Sequence, residues 1–133
     1  MTGRRVDAAF GRDAGEVARA RHFVGSALAA WGLDAERSAM ELAVSELVSN
    51  AIQHGAGDVR VCLDHACDRV HLEVSDEGGG QPVMSESAPT AGQMGGWGLR
   101  FVNELADAWG ADAAVGLTRV WLDKRTTPGN GAR

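Results

Sequence analysis

Glu46 and Asn50 stand four residues apart in Glu46-Leu47-Val48-Ser49-Asn50, Asp76 heads Asp76-Glu77-Gly78-Gly79-Gly80, and Gly95-Gly96-Trp97-Gly98-Leu99 leads into an apolar helical pattern. Together these segments hold a carboxylate suited to act as a base, an amide oxygen that a metal could take, a second carboxylate able to read a nucleobase, and phosphate-facing backbone. They are the parts of a nucleotide site. On a helix, Glu46 and Asn50 lie about 40° apart around the axis, so both can face one ligand. Asn50 could present its side-chain oxygen to Mg2+, which needs octahedral oxygen ligands and takes few of them from protein. Glu46 would then lie near a terminal phosphate, where it could accept the proton of an attacking hydroxyl.

An ionised Asp76 can accept a hydrogen bond from the exocyclic amine of adenine and would repel the carbonyl that guanine presents there; a charged bond of this kind contributes roughly 1.5 to 3 kcal/mol. Gly78 and Gly80 permit a close ligand approach that a Cβ would block. Thr118, on the expected last strand, could set its hydroxyl beside Asp76, directly or through water. Gly95, Gly96, Gly98 and Leu99 open a helix whose free N–H groups and dipole can meet phosphate oxygens, with Arg100 as a further cation or a solvated surface residue. Each piece has a plainer reading as well. A Glu–Asn pair one turn apart is commonly a solvated pair, and Asp-x-Gly-x-Gly can be a simple turn.

Composition narrows the classes. The chain has 133 residues, 44% of them hydrophobic, and a formal charge of -5, which suits one domain with its own core and disfavours a general nucleic-acid or membrane surface. Lys124 is the only lysine among thirteen basic side chains, and it follows no glycine loop. A P-loop and an ordinary protein-kinase site both need a lysine on the phosphates, so both are excluded. No apolar run reaches the length of a membrane span or a signal segment, and the expected location is the cytoplasm. Cys62, His65, Cys67 and His71 invite a zinc reading, but residues on hairpin strands point to different faces, and two reduced thiols are the better expectation.

The positioning elements follow from periodicity. Residues 4–10 alternate as an edge strand, and Asp13 with Glu16 reads as a capping box for a helix through Val17, Ala20, Val24, Ala27, Leu28 and Trp31 that Gly32 stops. Asp34 can cap a second helix to about His54, with Met40, Val44, Leu47, Val48 and Ala51 on its inner face, and Gly55 and Gly57 end it. Val59, Val61 and Leu63, then Val70, Leu72 and Val74, predict an antiparallel hairpin ending just before Asp76. Residues 78–96 have no apolar period and read as a lid. A third helix is expected from about Gly98 to Trp109, two strands near 112–116 and 118–123, and a frayed tail at 126–133. One domain, 1–133, is the expected organisation.

These residues match, position by position, the N-box (Glu46, Asn50), G1 box (Asp76, Gly78, Gly80) and G2 box (Gly96, Gly98) of the GHKL, or Bergerat-fold, ATP-binding family. The chain resembles its anti-sigma-factor serine/threonine kinase branch, of the RsbW and SpoIIAB type, in its small size and in the helix holding Arg19-x-Arg21-His22-Phe23-Val24. Sensor histidine kinases share the boxes but add a phosphoacceptor hairpin for which 133 residues leave no room. The resemblance implies an α+β, two-layer α/β sandwich with a mixed, mainly antiparallel sheet covered by helices on one face, and Mg-ATP bound between helices and lid. It further implies transfer of the γ-phosphate to a STAS-domain anti-anti-sigma partner, sequestration of a sigma factor, and a homodimer. Trp97, where many relatives are more polar, departs from the pattern. The competing readings are a non-catalytic ATP-binding switch and a free-standing ATPase.

Overall fold

Strand-period alternation and two helical stripes decide the architecture. A computed structural model of the protein describes residues 3–77, 102, 104–114 and 117–126. In chain order the elements are β1 (Arg4–Phe10), α1 (Gly15–Ala30), a single 3-10 turn (Asp34–Glu36), α2 (Arg37–His54), β2 (Val59–Ala66), β3 (Arg69–Asp76), β4 (Ala108–Ala114) and β5 (Leu117–Arg125). The five strands form one sheet in the order β1-β2-β3-β5-β4, and each neighbouring pair is antiparallel. This is an α+β fold whose sheet, among the described strands, is antiparallel throughout.

One face of the sheet carries Val59, Val61 and Leu63 from β2, Val70, Leu72 and Val74 from β3, and Val120 and Leu122 from β5. Against them pack Ala20, Val24 and Leu28 of α1 and Met40, Val44, Leu47, Val48 and Ala51 of α2. Each buried Val, Leu or Met contributes roughly 1.5 to 3 kcal/mol on leaving water, so this seam fixes α2 firmly against β3. The other sheet face alternates to charge: Glu73 and Asp112 both pair with Arg119, and His71 Nδ1 lies 2.6 Å from Asp123 Oδ1.

The ends of the helices depart from the simplest reading. At α1, the Asp13 side chain forms no cap; Ala14 is the cap residue, without a side-chain bond. Glu16 Oε1 accepts instead from the Gly11 N–H at 3.2 Å. At its far end Gly32, with φ +75°, lets Leu33 N donate to Leu28 O and Gly32 N to Ala29 O, a Schellman closure. Asp34 does not cap α2 either. It opens the 3-10 turn, and Glu36, 2% exposed, is the residue before α2. Its carboxylate lies 3.4 Å from Lys124 Nζ, so the only lysine is spent on a structural ion pair with a buried carboxylate.

The third helical pattern ends sooner than its periodicity suggests. Val102, Glu104 and Leu105 are helical and Ala106 N donates to Val102 O at 2.9 Å, but Asp107 N already donates to Asp123 O and β4 starts at Ala108. Trp109 therefore belongs to β4. An apolar residue four places after Leu105 satisfies a helix stripe and a strand face equally, and Gly110 resolves the conflict. A Cβ there would lie 2.8 Å from the Trp121 ring across the β4–β5 pair.

Candidate nucleotide site

The C-terminal half of α2 carries both N-box candidates. Glu46 is half-buried on the stripe beside the core face, and Asn50, one turn on, is buried at 8% exposure. Among the described residues, two buried side-chain atoms lack a hydrogen-bond partner, Asn50 Oδ1 and Arg119 Nε. Arg119 already has its two carboxylates. A buried amide oxygen left unpaired is costly and marks a place where an outside donor or cation completes the set. An oxygen donor of this kind fits Mg2+.

Asp76 is the last residue of β3 and is 5% exposed. The sequence placed it just past the strand; the register includes it, opposite Thr118 on β5. Thr118 is thus the cross-strand neighbour of the candidate adenine reader.

The chain leaving α2 wraps directly over this carboxylate. Gly55 follows the helix, its N–H donating to Ala51 O at 2.8 Å, and Ala56 O accepts from Glu77 N at 2.8 Å. A Cβ added to Gly55 would lie 2.2 Å from Asp76 Oδ2, and one added to Gly57, whose φ is +70°, would lie 2.4 Å from the Glu77 carboxyl group. Gly55 is therefore part of the seat: only a residue without a side chain lets the strand tip and the helix end meet. Sequence reading treated Gly55 and Gly57 as helix stops alone. The available signal was the pair of glycines between a helix bearing Glu and Asn and a strand ending in Asp.

Gly55→Ala is expected to displace the Asp76 carboxylate and to weaken ATP binding by about ten-fold or more, on the order of 1.4 kcal/mol. Gly15→Ala, where a Cβ meets nothing within 4 Å, is the matched control. Calorimetric titration of both variants checks it, and equal affinities would remove Gly55 from the site.

The structure thus brings Asn50, Asp76 and Thr118 to one end of the sheet and of α2, with Glu46 a turn back. Gly78, Gly80, Gly95, Gly96, Gly98 and Leu99, with Trp97 and Arg100 and the expected lid at 78–96, lie outside the described residues. The zinc candidates are dispersed. Cys62 is buried, with burial raising its thiol pKa, and Cys67 is exposed in the β2–β3 turn with φ 56°. The His65 ring stacks on Trp31, and His71 is engaged by Asp123.

A family model described as histidine kinase-like ATPase domain matches residues 10–124. This chain belongs to that family. The match spans every element from α1 through most of β5, and membership in the histidine kinase-like ATPase domain family carries ATP binding with it. The crystal structure of the RsbU and RsbW domains of Rv1364c from Mycobacterium tuberculosis has the same fold, with a TM-score of 0.69 and 22% identity over 92% of this chain. The overlap covers 32% of that chain, so this protein spans about a third of the solved chain it resembles. A comparison with curated proteins returns no match. None of the described helices of this histidine kinase-like ATPase domain is long and apolar enough to cross a membrane.

Proposed function

We propose that this chain is an anti-sigma factor with ATP-dependent serine/threonine kinase activity, which phosphorylates a STAS-domain anti-anti-sigma partner and holds a sigma factor inactive, acting as a homodimer. The observation that carries the nucleotide part is the unpaired, buried Asn50 Oδ1 on the helix whose end meets Asp76. Family membership and the likeness to an RsbW domain support the kinase part.

In this reading Asp76 accepts a hydrogen bond from the adenine amine, with Thr118 beside it, while Gly78 and Gly80 leave room for the base. Asn50 Oδ1 would hold Mg2+, whose role when bound is to neutralise phosphate charge. Gly95, Gly96, Gly98 and Leu99 offer backbone N–H groups to phosphate oxygens. Glu46 takes the proton of the partner's serine or threonine hydroxyl as its oxygen bonds to the γ-phosphorus and the bond to the β–γ bridging oxygen breaks, releasing ADP. Phosphoryl transfer of this kind depends mostly on positioning and charge neutralisation, which residues on one helix and one strand tip can supply.

Calorimetry with ATP and GTP, with and without magnesium, tests the site before any partner is known. The expected result is ATP binding that magnesium strengthens, GTP binding that is much weaker, and loss of the magnesium effect in Asn50→Ala. An Asn50→Ala variant that keeps the parent's dependence on magnesium would remove Asn50 as the metal ligand. Labelled ATP with candidate STAS proteins then separates kinase from switch. Tight binding without transfer to a cognate partner would favour a non-catalytic regulator, and steady phosphate release without a partner an ATPase.

A further inference from the structure

The guanidinium of Arg12, from the link between β1 and α1, reaches the end of α2 and donates to four backbone carbonyls. Nη2 bonds to Ala51 O at 3.2 Å, Ile52 O at 2.5 Å and Gly55 O at 2.9 Å, and Nη1 to Gly57 O at 3.1 Å. The last carbonyls of a helix have no partner within it, and a cation there also meets the negative end of the dipole. Arg12 does more than close the helix, because two of its acceptors, Gly55 and Gly57, belong to the crossing that lies on Asp76 and Glu77. The same crossing is tied to β3 by the bond from Glu77 N to Ala56 O.

We propose that Arg12 is a positioning residue of the nucleotide site. It fixes the Gly55–Gly57 crossing against the end of α2, and through it the place of the Asp76 carboxylate. The role toward nucleotide rests on the function proposed above; the clamp itself does not. A planar fork with several donors can hold acceptors spread over one helix end and the loop beyond it, whereas the point charge of a lysine cannot span them. Because Arg12 sits two residues after Phe10, at the end of the edge strand, the position of the β1–α1 link and the geometry of the adenine seat are coupled.

The test compares the parent with Arg12→Ala and Arg12→Lys by amide hydrogen exchange and by nucleotide affinity. The amides to follow are Gly55 and Glu77, with Leu72 in the sheet as reference. In Arg12→Ala, exchange at Gly55 and Glu77 is expected to accelerate about ten-fold or more, with Leu72 unchanged. The preference for ATP over GTP should fall by a similar factor, with Arg12→Lys between the two. Unchanged exchange at both amides would overturn the proposal, as would an equal rise at Leu72, which marks general destabilisation. An ATP-to-GTP ratio equal to the parent's would also overturn it. A parent chain that binds neither nucleotide refutes the function proposed above, and the exchange rates then still decide whether the clamp exists.

Discussion

Asparagine in place of Asp76 is expected to lower ATP affinity by about one to two orders of magnitude and leave the fold intact. Loss of a charge-assisted hydrogen bond is worth roughly 1.5 to 3 kcal/mol, and each 1.4 kcal/mol is ten-fold in affinity. The effect belongs at the upper end because Asp76 is 5% exposed, which keeps water from replacing the lost interaction. Shape is nearly conserved, so the Gly55 crossing and the pairing with Thr118 should persist and thermal stability should change little. Selectivity gives a second readout. The amide can donate to the carbonyl that guanine presents where adenine has its amine, so GTP should lose less than ATP, or gain. Titration of parent and variant with both nucleotides settles it; equal ATP affinity would show that Asp76 does not read the base.

Much of the framework was legible because each signal had a single physical cause. Alternation in 59–63 and 70–74 could only put Val and Leu on one face, and the sheet registers Val61 against Val74 and Leu63 against Leu72. The stripe from Met40 to Ala51 admits one buried face, and that alone sets Glu46 and Asn50 beside it. Local capping was less legible. Asp13 and Asp34 have the right type and position, but tertiary contacts use other groups: Glu16 turns back to Gly11, and Glu36 is drawn inward by Lys124 from the far end of the chain. The end of the third helix was ambiguous because Trp109 serves two periods. Arg12 was invisible to sequence reasoning, since its acceptors are backbone carbonyls some forty positions away and backbone carries no residue-type signal. The glycines were read for what they stop. Their closer role, making room for Asp76, needs the strand tip and helix end in the same place.

Removing the side chain of Glu46 is expected to separate chemistry from binding. General-base assistance is typically worth 10² to 10⁴ in rate, so Glu46→Ala should lose transfer to the proposed STAS partner by about that factor. Nucleotide affinity should stay near the parent's, because Glu46 lies a turn away from Asn50 and the proposed adenine contacts gather at Asp76, beside Gly55 and opposite Thr118. Stability should also hold: the residue is half-buried at the edge of the stripe, while Leu47 and Val48, on the core face, carry the packing. Single-turnover transfer of labelled phosphate, measured alongside calorimetric ATP affinity, tests both halves. Glu46→Gln sharpens the result, since it keeps size and hydrogen bonding and removes the basic oxygen pair; a base predicts that it fails like the alanine variant, whereas a residue that only orients the hydroxyl predicts substantial recovery. If both variants transfer phosphate at the parent's rate, Glu46 is not the base, and positioning of the phosphates alone must account for catalysis.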